Sequence, residues 1–184
     1  LRTLFPYTTL FRSSEYIIVG RSGFGLIRSY DGNKLNILPP IYSRILPDTD
    51  DIWQFENFVP QVVVINLGTN DFSSEFIPSR EEFTLAYINL VKKIHKNYKK
   101  AKIICAIGPV IDGNALVVTR DYIKNDVVNK LNKDISNKYL YFLEFDHQVE
   151  SNGFGINGHP SLRTHEIMGK LLANFINKIF GGTF

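Results

Sequence analysis

The feature that most constrains this chain is a series of short, uninterrupted apolar runs separated by amphipathic stretches. Four runs read as strands: Tyr16–Val19, Val62–Leu67, Ile103–Ile107 and Leu140–Phe145. Each is rich in β-branched or aromatic residues and apolar at successive positions, the pattern of strands buried on both faces in a parallel sheet. Helices are predicted between the later runs. Ser79 followed by Glu82 forms a capping-box pattern, and Phe83, Tyr87, Leu90, Val91, Ile94 and Tyr98 then recur at helical spacing. A second helix is predicted from about Arg120 to Ser136, with Ile123, Val127, Val128, Leu131 and Ile135 on one side. A third starts near Ser161 and ends near Phe180, turning Ile167, Leu171, Leu172, Phe175, Ile176 and Ile179 inward. Strands alternating with helices imply a doubly wound α/β sandwich. Chemistry in such sheets is sought beyond the carboxyl ends of the strands, here in the loops after Leu67, Ile107 and Phe145.

Composition narrows the function classes. The 184 residues suit one domain, and 44% hydrophobic with 21% charged residues is ordinary for a soluble globular chain. The formal net charge is only +3, and the lysines at 92, 93, 96, 99 and 100 fall on a predicted helix face with no interleaved aromatic stripe. Nucleic acid is therefore not an expected partner. No apolar run reaches the roughly 18 residues that span a bilayer, so no membrane association is expected. No signal peptide is visible in the chain. Cys105, the single cysteine, lies in an apolar run and reads as a small buried hydrophobe. His95, His147, His159 and His165 show no zinc-ligand spacing, so neither metal nor cofactor is expected.

Three short segments carry chemistry. Gly68-Thr69-Asn70-Asp71 follows the second strand, where a side-chain amide can donate to the oxyanion of a tetrahedral intermediate; the same residues also favour a plain turn. His159 stands before Pro160 at the entrance to the last helix. Its imidazole can serve as a general base, and the proline fixes where it points. Ser22-Gly23-Phe24-Gly25 follows the first apolar run and suits a backbone N–H donor. It fails the dinucleotide fingerprint, because Leu26, Ile27 and Arg28 follow it.

Taken in order, Ser22-Gly23-Phe24-Gly25-Leu26, Leu67-Gly68-Thr69-Asn70-Asp71-Phe72-Ser73 and Gly158-His159-Pro160-Ser161 resemble the SGNH (GDSL) hydrolases, most closely carbohydrate esterase family two, the acetylxylan esterase type. The resemblance runs from about Tyr16 to Ile179. It implies a flavodoxin-like doubly wound parallel sheet, the three-layer sandwich of these enzymes. It also implies removal of O-acetyl groups from polysaccharide by serine–histidine acyl transfer. Gly23 and Asn70 would then donate to the oxyanion and His159 would act as base, with Gly20 a rival for the glycine role. Ser22, Thr69, Asp71 and Trp53 are candidate substrate-binding residues, Asp71 with a loop-supporting role in the family. The implied partner is an acetylated polysaccharide or oligosaccharide, and the implied location is extracellular, secreted by a bacterium. The alternatives are an SGNH lipase or thioesterase, and a non-catalytic carbohydrate-binding remnant with Trp53, Tyr30 and Tyr42 as stacking groups.

The chain departs from the family in two places. The family's nucleophile sits in a Gly-Asp-Ser block on the first central strand, and no such block occurs in the 184 residues. Residues 1–14 look foreign to the family and resemble a translated sequencing adapter joined to a gene fragment, which leaves residues 15–184 as a partial hydrolase domain. The first central strand is then expected to be missing and the chain as given inactive. Ser13 and Ser14 are the nearest upstream serines. The aspartate common before the histidine is also replaced, with Ile156 and Asn157 at those positions. A backbone carbonyl or Asn157 is expected to take its hydrogen bond, making a dyad rather than a triad.

Overall fold

A computed structural model describes residues 14–73, 77–133 and 138–182. Three parallel strands form its sheet in the order β1-β2-β3: β1 is Val62–Asn66, β2 Lys102–Ile107 and β3 Leu140–Glu144. Val62 pairs with Lys102 at one end of the first ladder, and Ile103 with Leu140 in the second. These are three of the four expected strands, and the parallel doubly wound architecture holds.

The fourth expectation is corrected. Tyr16–Val19 joins no ladder among the described residues, and its side chains are 36–52% exposed. An apolar run becomes a strand only when a neighbour takes up its backbone groups. Among the described residues β1 pairs with β2 alone, and Val62, Val63 and Val64 are only half-buried.

Alternate residues of β2 feed two different layers, as a pleated strand with period two requires. Ile103, Cys105 and Ile107 pack with Phe83, Tyr87, Leu90 and Val91 on one face. Ile104 and Ala106 pack with Met168, Leu172 and Ile176 on the other. The first layer holds α1, Arg80–Asn97, and α2, a continuous helical stretch over 113–132 whose middle, Tyr122–Asn129, is wound as a π helix. The second holds α3, Leu162–Ile179.

Local sequence sets the helix ends. Ser79 caps α1 by accepting the Glu82 N–H at 3.1 Å, and Ser161 caps α3 by accepting the Thr164 N–H at 3.2 Å. The second half of the capping box is absent, because the Glu82 carboxylate takes the Lys34 ammonium at 2.8 Å. α2 begins at Gly113 rather than near Arg120, so its first two turns precede the apolar stripe that announced it. Ile135 and Ser136 lie outside the described residues. The fork from Arg120 Nε and Nη2 to Glu144, at 2.6 and 2.7 Å, pins α2 to the end of β3.

Candidate active site

The loop after β1 and the loop containing Gly23 are fastened together. The Asn70 side-chain amide donates to the Phe24 carbonyl at 2.8 Å. Asp71 is fully buried, and its carboxylate accepts the backbone N–H groups of Leu26 (2.8 Å), Ile27 (2.7 Å) and Arg28 (3.2 Å). Arg28 returns the contact, its Nε and Nη2 donating to the Asp71 carbonyl at 2.8 and 2.6 Å. Burial pushes the Asp71 carboxyl above its ordinary range, and the three backbone donors oppose that rise. The Gly23 carbonyl accepts the Tyr30 N–H at 3.0 Å, and among the described residues nothing accepts the Gly23 N–H. Gly20 has open space around it.

His159 is aimed by a tight turn. Asn157 (φ 56°, ψ 36°) and Gly158 (φ 71°) both occupy the left-handed region, and the His159 N–H closes on the Ile156 carbonyl at 3.2 Å. That is the geometry of a type I′ turn, for which Asn-Gly is the preferred pair. The same Ile156 carbonyl lies 2.9 Å from His159 Nδ1. It selects the tautomer protonated at Nδ1 and leaves Nε2 as the basic nitrogen. Asn157 therefore serves the turn, and a backbone carbonyl rather than a side chain takes the Nδ1 hydrogen bond. Pro160 is buried, and Phe154 bridges to it across the hairpin.

The loops after the three strands meet at one end of the sheet. A methyl added to Gly108, just after β2, would stand 3.2 Å from Asn66 Oδ1 and 3.5 Å from Thr69 Oγ1, at the end of β1. The next residue, Pro109, accepts the Gln148 N–H at 3.0 Å, and Gln148 Nε2 donates to the Gly158 carbonyl at 2.8 Å. A continuous series of contacts thus runs from Asn70 and Thr69 through Gly108 and Gln148 to the turn carrying His159. Asn66 and Gln148 carry no sequence signal of their own, whereas Gly108-Pro109, directly after a strand, is a local turn signal.

Not every candidate comes to this rim. Trp53 lies beside the Tyr98 side chain, at the end of α1 where the strands begin. Tyr42 packs beside it through Phe55, and burial pushes its hydroxyl up to about 12. Asp71 faces the protein interior. Ser22 is exposed beside Gly23, and Tyr30, 63% exposed, lies against the face of Gly23. Ser14 is exposed, and Ser13 lies outside the described residues. His147 Nε2 stands 4.0 Å from Asp112 Oδ2 on the same rim, an exposed pair separate from His159.

Residues 15–172 match the GDSL-like Lipase/Acylhydrolase family. The chain belongs to that family. This GDSL-family chain is 40% identical over 163 residues to the cellulase/esterase CelE of Acetivibrio thermocellus, a match covering 88% of this chain and 20% of that protein. It is 26% identical over 186 residues to the acetylxylan esterase / glucomannan deacetylase of Cellvibrio japonicus, covering 94% of this chain and 48% of that one. Among solved structures, a family two carbohydrate esterase from Clostridium thermocellum in complex with cellohexaose superposes with a TM-score of 0.91 at 36% identity. That match takes in 97% of this chain and 54% of that structure. The chain spans about half or less of the relatives it matches. Among the described residues no helix is long and apolar enough to cross a membrane.

Proposed function

We propose that the protein from which this chain comes is an extracellular carbohydrate esterase that removes O-acetyl groups from polysaccharide. The observation that carries this reading is the anchoring of His159 Nδ1 on the Ile156 carbonyl, with Nε2 left basic, at the strand-end rim that also holds Asn70. The esterase names of the relatives and the cellohexaose complex favour a sugar substrate over a lipid or thioester.

In this mechanism a serine hydroxyl attacks the acetyl carbonyl and His159 Nε2 takes its proton. The oxyanion accepts from the Gly23 N–H and from Asn70 Nδ2, whose second hydrogen is left over after the bond to Phe24. Collapse expels the sugar alkoxide, which takes the proton from His159. Water then attacks the acetyl-serine with His159 again as base, releasing acetate. The serine belongs to a Gly-Asp-Ser segment that these 184 residues do not include.

The test joins a Gly-Asp-Ser strand segment to the chain and measures acetate release from acetylated xylan and glucomannan. Asn70→Ala should lower kcat about 10²–10³-fold, as loss of one oxyanion donor does. His159→Ala should abolish most turnover. Undiminished turnover in either variant ends the assignment. The chain as given should resist fluorophosphonate labelling, and labelling at Ser13 or Ser14 would identify a nucleophile already present.

A further inference from the structure

A second site is suggested at the opposite end of the sheet, where the strands begin. A groove of about 380 Å³ is lined by His95, Lys99, Lys100, Lys102, Lys138 and Tyr139. Among the described residues no carboxylate lines it. Lys99, Lys100 and Lys138 are exposed, and none of them enters an ion pair among the described residues. The Lys102 ammonium is held by the Tyr141 hydroxyl at 3.0 Å. His95 Nδ1 is buried without a hydrogen-bond partner among the described residues. The run from Lys92 to Lys102 holds six lysines and no acidic residue. The C-terminal dipole of α1 favours one or two cations there, and the remainder exceed what it calls for.

We propose that this groove binds the carboxylates of an acidic polysaccharide; only the choice of a polysaccharide rests on the esterase reading. Its chemistry separates the possible anions. A compact phosphate is bound by arginine forks or a helix N-terminus, whereas this groove has no arginine and sits at a helix C-terminus. Single-stranded nucleic acid needs open aromatic faces for base stacking, and one face of Tyr139 is covered by His95 at a centroid distance of 4.0 Å. Mobile lysine ammonium groups spread along an open groove suit single charges spaced along a chain. The site would hold the polymer by its acidic residues, away from the rim with His159.

The experiment is affinity electrophoresis of the chain in gels containing polygalacturonate, neutral arabinoxylan, or neither, with single-stranded DNA and inorganic phosphate as competitors. Retardation by polygalacturonate alone is expected. The triple variant Lys99→Gln/Lys100→Gln/Lys138→Gln should bind about tenfold more weakly. An equal-charge control, Lys34→Gln/Lys130→Gln/Lys178→Gln, should stay within about twofold. Equal weakening in the control, tighter binding of DNA, or displacement by inorganic phosphate at concentrations where free uronate has no effect would each overturn the proposal. Because no acetyl group is involved, His159→Ala should bind like the parent. The site therefore stands or falls separately from the esterase reading.

Discussion

Asn70 donates its side-chain amide to the Phe24 carbonyl at 2.8 Å, which fastens the expected side-chain oxyanion donor to the loop bearing the expected backbone donor. Asp71, the next residue, holds the other end of that loop by three N–H bonds. These bonds tie the loop after β1 to the loop containing Gly23. Asp71→Ala leaves three backbone donors unsatisfied in the interior and should destabilise the chain by about 3 kcal/mol, read as a lower urea midpoint.

The Asp71 carboxyl also gives a pH signature. Its folded value is raised, chiefly by burial, so the folded state binds its proton more readily than the unfolded state does. This group's contribution therefore weakens stability as pH rises from the ordinary carboxylate value of 3.8 through the raised one. Comparing the wild type and Asp71→Asn by denaturant titration across that window should show the downward slope only in the wild type.

Gly25 is fixed by close approach. A Cβ there would overlap the Arg28 carbonyl and stand 2.5 Å from Asp71 Oδ2. Gly25→Ala should therefore cost about 3 kcal/mol or prevent folding, as overpacking against backbone does. Gly20→Ala, with no neighbour within 4 Å, should change the melting temperature little.

Cys105 is fully buried, and burial pushes its thiol up to about 12. The reactive thiolate is therefore scarce at pH 8, roughly one part in 10⁴. Iodoacetamide should leave the folded chain unlabelled and modify it stoichiometrically in guanidinium. Rapid labelling of the native chain would mean that β2 is not packed as described.

Gly158 holds its turn at φ 71°. Gly158→Ala should cost about 1 kcal/mol and shift the imidazole resonances of His159 in an NMR spectrum. Ser161→Ala removes both the α3 cap and the bond to the Asn152 carbonyl. It should cost a similar amount, about 1–2 kcal/mol, while moving those resonances less.

The parts of the fold governed by local chemistry were readable in advance. Ser79 and Ser161 announced the starts of α1 and α3, and the unbroken apolar runs announced the three paired strands. Tyr16–Val19 misled because its composition is that of a strand while its pairing depends on a neighbour that no local pattern reveals. The early start of α2 was hidden because Gly113 and Asn114 carry no apolar periodicity. At the rim, Gly68–Asp71 and His159-Pro160 stood out as loop chemistry. The joining contacts of Asn66, Gly108 and Gln148 arise only when separate strands end side by side. The role of Asn157 was legible in principle, since Asn-Gly is itself a turn signal.

That Asn-Gly pair gives the chain a way of ageing. Asn157 is exposed, and the residue after it offers no side chain to hinder attack by its own amide nitrogen on the asparagine carboxamide. Loss of ammonia through such a ring, followed by hydrolysis, yields aspartate or its iso form, and the iso form adds a methylene to the backbone. Stored protein would then lose the aim of its imidazole while keeping its core intact, a decay visible by mass and charge before any change in melting.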